Sequence, residues 1–338
     1  MAQETPHAKA QYTEAQARKL LEQLQCYSAA KGFSQGRMAS MLDISSSSLS
    51  NLMHGGYAGN EDAHLAKIEQ FLDREAERAE KPGLTSFVET SVALDIFKTL
   101  RQNHVHGTMG AVIGNSGVGK TRAFRQYALQ NENVIILTAS TWMRSHVQLS
   151  KKLGEILGVD KKKRSCTQDR CGAIVEELLG ASRLIIIDQA HQLREDAHEF
   201  LQNLWDQCNP TEEERRLGIV LGCTWKFFNQ IYDEKAVFAY EQLTSRIDAG
   251  MSKKIPQSPF TINDIKKLFS TDNVKFQLSD AALGHLHRVA NSAGGLRTAV
   301  ANVEHLQDLL NRQKAPANTA MSVDMLKQIQ QIMLRKAA

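Results

Sequence analysis

Apolar residues recur at helical spacing from residue 13 to 31, through Ala17, Leu20, Leu21, Leu24 and Tyr27, and Gly32 ends the run. The next stretch, SQGRMASMLDISSSSLSNLM over 34 to 53, predicts two short helices. Ser34 caps the first, whose apolar positions are Met38, Ala39, Met41 and Leu42. Asp43 takes a tight turn, Ile44 plugs into the core, and a second helix from about Ser46 faces Leu49 and Leu52 inward, with small Ala39 letting the two helices cross closely. Residues 61 to 80 form a charged amphipathic helix with Leu65, Ile68, Phe71 and Leu72 as its buried stripe. Lys81-Pro82-Gly83 then breaks the chain.

Beyond that break the pattern changes. A helix expected from Thr85 to Gln102 leads into short, continuous apolar runs at 109 to 113, 134 to 138, 183 to 188 and 218 to 224, separated by helical stretches. That alternation predicts an α/β fold, a parallel sheet whose carboxyl edge carries the functional loops. Residues 259 to 338 read as helices over 261 to 269, 279 to 291, 295 to 313 and 322 to 335, a helical lid. The last carries Met325, Leu326, Ile329, Ile332 and Met333 as an apolar stripe. The expected domains are therefore 1–80, all-α with a helix-turn-helix; 84–255, the sheet; and 256–338, the lid.

Chemistry enters at the end of the first strand. Gly114, Asn115, Ser116, Gly117, Val118, Gly119, Lys120 and Thr121 spell GNSGVGKT and match the phosphate-loop pattern G-x-x-x-x-G-K-[ST], with an apolar strand before it and a helix after it. The glycines let successive N–H groups approach a phosphate, and the positive end of the following helix points at the same place. Lys120 is expected on the β- and γ-phosphates of ATP and the Thr121 hydroxyl on Mg²⁺. The strand RLIIID supplies the second metal residue, Asp188. Gln189 follows it; an amide positions water but accepts no proton.

Composition narrows the class. The chain has 338 residues, 42% hydrophobic and 23% charged, which is ample for two or three cores. No apolar run approaches the length of a bilayer span and the N-terminus lacks the apolar core of a signal peptide, so a cytoplasmic protein with no membrane partner is expected. Cys26, Cys166, Cys171, Cys208 and Cys223 are scattered and read as free thiols. The formal charge of +4 permits nucleic-acid binding, and its distribution says more. Arg144, His146, Lys151 and Lys152 cluster after the second strand, and Lys161, Lys162, Lys163 and Arg164 form a basic run.

The phosphate loop and acidic strand resemble those of AAA+ ATPases, and the 34–53 stretch resembles repressor-like helix-turn-helices, with Asp43 where that class usually has Gly. The latter resemblance places Ser46, Ser47, Ser50 and Asn51 on a DNA-facing helix and Arg37 near the DNA backbone; hydroxyls without an arginine imply weak sequence preference. Taken in order, the helix-turn-helix, the phosphate loop, IIIDQAH, the SRI arginine and the GGLR helix are similar to the phage Mu B / TnsC-type family of AAA+ transposition regulators. This resemblance implies an ATPase that oligomerises on double-stranded DNA, as a helical filament or ring in the bacterial host, and delivers that DNA to a DDE-type transposase. It implies that Thr224 senses the γ-phosphate, that Arg297 contacts nucleotide from its own chain, and that Arg246 reaches a neighbouring subunit's nucleotide. It also implies that the basic residues after the second strand line a DNA channel. Such ATPases usually carry Glu at the position of Gln189, so hydrolysis is expected to be slow, whether the residue is native or a substitution that traps the ATP state. A helicase-loader-type remodeller and an ATP-responsive helix-turn-helix transcription regulator remain alternatives. A metabolic phosphotransferase leaves the helix-turn-helix without a role.

Overall fold

A computed structural model describes residues 12–55, 61–80, 87–159, 166–179, 182–211, 216–232, 237–247, 250–316 and 319–337. The basic run Lys161, Lys162, Lys163 and Arg164 and the break at 81–83 lie outside the described residues, as do the side chains of 77–80, 237–239 and 333–337. The chain divides into two compact units, Met1–Pro82 and Gly83–Ala338.

The smaller unit contains α1 (Glu14–Lys31), α2 (Gln35–Leu42), α3 (Ser46–Met53) and α4 (Glu61–Glu80). Thr13 and Gln16 form a capping box at the start of α1, and Gly32, at φ 63°, ends it. Asp43 ends α2 in the left-handed region at φ 52°. Lys67 of α4 donates 2.7 Å to the Asp43 carbonyl, a tertiary contact that holds a non-glycine residue in that conformation. Leu24, Met38, Ala39, Leu42, Leu49, Ile68 and Phe71 make the core. Met41, although in phase with the apolar residues of α2, faces solvent.

The larger unit runs α5 (Ser91–His106), β1 (Met109–Ile113), α6 (Lys120–Gln130), β2 (Val134–Thr138), α7 (His146–Ile156), α8 (Thr167–Leu178), β3 (Arg183–Asp188), a 3₁₀ turn at Ala190–Gln192, and α9 (Glu195–Cys208). It continues with β4 (Leu217–Cys223), α10 (Trp225–Ile231), α11 (Val237–Arg246), β5 (Lys253–Lys254), α12 (Ile262–Leu268), α13 (Asp280–Ala290), α14 (Gly295–Arg312) and α15 (Val323–Ala337). The sheet order is β2-β3-β4-β1-β5, all parallel. Strands β1, β3 and β4 are buried almost throughout, which is why they read as unbroken apolar runs.

The two faces of that sheet still alternate residue by residue. Val112, Leu184, Ile186 and Val220 pack under α5, α6 and the four C-terminal helices in one cluster. Ala111, Ile113, Ile185, Ile187 and Leu221 pack on the other face with residues of α7 to α11. The lid thus shares a core with one face of the sheet. Asp264 of α12 fastens it, accepting from the Ser91 N–H at 2.6 Å, the Ser91 hydroxyl at 2.7 Å and the Thr261 N–H at 2.8 Å. Burial raises the Asp264 carboxyl, but the donors on Ser91 and Thr261 outweigh it and hold the group below its ordinary range.

The helix expected from Thr85 begins only at Ser91. Thr90 has extended backbone and its hydroxyl accepts from the Ala93 N–H, so it caps the helix, while Phe87 and Val88 pack against the core before it starts. Helices α8, α10 and α11 and the short β5 are additions to the sequence-based layout. No described helix is long and apolar enough to cross a membrane.

Candidate nucleotide-binding site

Strand β1 delivers the phosphate loop to the carboxyl edge of the sheet, and the Gly114 N–H donates 3.2 Å to the Cys223 carbonyl at the end of β4. Gly117 and Gly119 have φ of 85° and 95°, conformations that a side chain rarely tolerates. Gly119 caps α6 without any side-chain hydrogen bond. The first N–H groups of that helix therefore keep no capping side chain and face the loop.

A cavity of about 550 Å³ opens there, lined by Ser116 through Arg122, by Asp188, Gln189 and His191 after β3, by Gly222 to Thr224 at β4, and by α14. That volume is in the range of small-ligand sites. The Thr121 hydroxyl donates 2.7 Å to Asp188 Oδ2, which joins the loop to the acidic strand end across two strand positions. Lys120 Nζ donates to the Gly114 and Asn115 carbonyls at 2.8 and 3.0 Å. Burial depresses its pKa, with Cys223 and Asp188 pulling the other way. An ammonium held by two carbonyls in a half-closed cavity is a group that a phosphate oxygen can claim.

Gln189 sits in the left-handed region at φ 57°, and its backbone N–H donates 2.9 Å to the carboxylate of Asp188. Gln189 is among the residues that line the cavity. His191 lines it too, and burial followed by the charge of Lys120 lowers its pKa, with Asp188 opposing. Burial pushes the Cys223 thiol up to about 12, which leaves it an uncharged wall. Thr224 lines the cavity, and its hydroxyl accepts from the Phe227 N–H at 3.4 Å as the cap of α10.

The lid closes the cavity through α14. Arg297 lines it, one turn into a helix whose cap, Gly294, has φ 90°. A Cβ on Gly117 would collide with the Gly294 carbonyl, so the glycines of the loop and of the GGLR segment meet backbone to backbone. Val300, Ala301 and Glu304, at helical spacing from Arg297, and the adjacent Leu296 complete this wall. The sequence pattern contains that spacing, and His191 stands three residues after Asp188, but nothing local marks either as facing the cavity.

The remaining candidates lie elsewhere. Arg246 is absent from this cavity; Nε and Nη2 both donate at 2.7 Å to the two carboxylate oxygens of Asp206 on α9. Arg144, Lys151 and Lys152 are exposed after β2, with Lys152 paired to Glu155 at 3.3 Å, and His146 is bound to Asp196 at 2.6 Å. In the smaller unit Ser46, Ser47 and Asn51 are exposed and Ser50 is half-buried. Arg37 lies 4.3 Å over the Phe33 ring.

Comparison with known proteins bears on the fold. Residues 103–230 match the model of the AAA domain. The Mu-like prophage FluMu DNA transposition protein B of Haemophilus influenzae is 29% identical over 204 residues, 60% of this chain and 68% of that protein. The ATP-dependent target DNA activator B of Escherichia phage Mu is 26% identical over 255 residues, 75% of this chain and 77% of that protein. Among solved structures, the Aeropyrum pernix ORC1 protein in complex with DNA superposes with a TM-score of 0.51 at 12% identity, covering 73% of this chain and 66% of that one. The chain has the AAA+ P-loop fold, with an AAA domain match over residues 103–230, and is similar in sequence to the transposition B proteins of Mu-like phages.

Proposed function

We propose that the chain is an ATP-dependent DNA-binding protein that assembles on duplex DNA with little sequence preference and presents it to a DDE-type transposase. The observation that carries this reading is the cavity joining Lys120, Thr121, Asp188 and Arg297 at one sheet edge, in a chain whose relatives are named as target DNA activators. Lys120 would leave the loop carbonyls for the phosphates of ATP, and Thr121 and Asp188, already in contact, would hold Mg²⁺. The nucleotide supplies a transferable γ-phosphoryl group and a charge that only its triphosphate form carries. Arg297 brings a fixed cation to that charge, and Thr224 a hydroxyl.

Gln189 orients water but takes no proton, so turnover is slow and the assembled state persists. Arg246 completes a neighbour's site only by leaving Asp206, an exchange between two carboxylate bonds in its own chain and phosphate contacts across an interface. The exposed Arg144 and Lys151, with Lys152, contact the DNA backbone, as do Arg37 and the polar side chains of α3.

The test is binding of the full chain to a random-sequence duplex, followed by anisotropy and sedimentation with ATP, with ADP and without nucleotide, at two salt concentrations. Cooperative binding that requires ATP, ignores sequence and weakens steeply with salt is the expected result. Nucleotide-independent binding of a dimer to one defined sequence would instead make the chain an operator-reading regulator.

A further inference from the structure

Trp142 is 86% exposed, and it sits at the tip of a built turn. Ser140 and Met143 exchange both backbone hydrogen bonds, at 3.2 and 3.0 Å, and the Trp142 N–H donates to the Ser140 hydroxyl at 3.3 Å. Behind it Met143 packs into the core, and the Ala139 N–H donates 2.9 Å to the Asp188 carbonyl. The backbone is thus fixed in four places while the largest side chain in the turn is left in water. Burying an indole is worth more than burying almost any other side chain, so a rigid support for an exposed one marks a contact surface.

The charge around the ring selects the partner. Arg144 is exposed two residues on, its carbonyl accepts from the Arg194 N–H at 2.8 Å, and Arg194 is exposed as well. Lys151 adds another exposed cation on the helix that follows. Of the nearby carboxylates, Asp196 holds His146 and Glu155 holds Lys152, while Glu195, beside Arg194, lines a separate hollow with His198 and Tyr240. An apolar ring flanked by cations fits a polyanion that also offers flat apolar faces, which describes nucleic acid better than a protein surface.

We infer that Trp142 is a wedge that enters the duplex at a base step while Arg144, Arg194 and Lys151 take the adjacent phosphates. This rests on the reading of the chain as a duplex-binding protein and adds to it a contact with the base stack. The wedge does not read sequence, because every step offers the same faces, but it favours steps that open easily.

Trp142 itself reports the contact. Trp205 and Trp225 are half-buried and donate to the Gly107 and Ile255 carbonyls, so neutral acrylamide quenches chiefly Trp142. With ATP and Mg²⁺, adding duplex should protect Trp142 from acrylamide, and Trp142→Ala should bind duplex about tenfold more weakly while Trp142→Phe stays near wild type. The wild type should bind a duplex with a central mismatch several-fold more tightly than the matched one, and Trp142→Ala should lose that preference. Protection by ATP alone, without DNA, would make the turn a contact between copies of the chain and overturn the inference. Equal duplex affinity of wild type and Trp142→Ala would overturn it while leaving the duplex-binding reading intact. Absence of duplex binding by both proteins would remove both.

Discussion

The phosphate loop and the serine-rich start of α3 are both short polar stretches that open a helix, and they treat the helix N-terminus in opposite ways. Gly119 caps α6 with no side chain, leaving the N–H groups and the positive end of the helix dipole available to an anion. Ser45 caps α3 with its hydroxyl, which accepts from the Ser48 N–H at 2.9 Å and lies 2.7 to 2.9 Å from the hydroxyls of Ser48 and Ser47. One N-terminus is kept open by the absence of a side chain, and the other is closed by hydroxyls bonded to one another. The lesson is that a polar stretch counts as a binding site by what its donors still lack. Ser47 shares in the closed network, whereas Ser46 and Asn51, exposed and outside it, are the groups of α3 with most to offer a partner.

The largest expected effect is on the open side. Lys120→Ala should lower nucleotide affinity about 100-fold, since it removes charge-assisted bonds from a site whose cation rests on two loop carbonyls. Calorimetric titration with ATP measures this, and near-wild-type affinity would mean that the open helix end suffices alone. The larger unit also carries an acid-sensitive group. His198 on α9 is 1% exposed, neither ring nitrogen has a hydrogen-bond partner among the described residues, and burial lowers its pKa from 6.5 to about 4. Below pH 6.5 the unfolded chain takes up a proton that the folded one refuses, so stability should fall by about 3 kcal/mol as the pH drops toward 4. Denaturant titrations across that range should show the slope, and His198→Phe should flatten it.

Gly117→Ala ranks next. It puts a side chain at φ 85° and against the Gly294 carbonyl, and a cost of about 2 kcal/mol should lower the melting temperature of the larger unit by roughly 4 to 8 °C. An unchanged melt would show that loop and lid can separate without penalty. On the closed side, Ser45→Ala should cost the smaller unit about 1 kcal/mol in urea unfolding. A large loss of duplex affinity with unchanged stability would mean that the cap is instead a DNA contact.

The smallest effect concerns Arg246, which, like Ser45, is already satisfied within its own chain. Asp206→Ala should change stability by less than about 1 kcal/mol, because the pair is partly exposed. If Arg246 serves a neighbour's nucleotide, that variant should assemble with ATP at least as well as wild type while Arg246→Ala fails, as sedimentation would show.

Much of this was legible along the chain because its causes are local. The phosphate loop needs glycines at fixed spacing, α1 and α2 stop at residues that take positive φ, and β3 is an apolar run closed by a carboxylate. The missed elements have causes that are not local. Helix α8 buries Arg170, 1% exposed, by giving its guanidinium the hydroxyls of Ser150 and Thr167. An arginine in that pattern reads as a surface residue until α7 is placed beside it. The fastening of the lid to α5 is likewise not local: Asp264, 173 residues away, captures both the N–H and the hydroxyl of Ser91.

The sequence by itself determined strands β1 to β4, most of the helices, and that a phosphate-binding loop precedes an acidic strand, because those features depend on neighbours within a few residues. Only the tertiary structure decided which distant residues share the cavity. The order β2-β3-β4-β1-β5 places Asp188 and Thr224 beside Thr121, and the packing of α14 on the sheet face brings Arg297 over Gly117. It likewise gave Arg246 to Asp206 and left Trp142 in solvent. Those choices belong to side-chain packing and strand register, whose free energy is shared among residues far apart in the chain and is written at no single one of them.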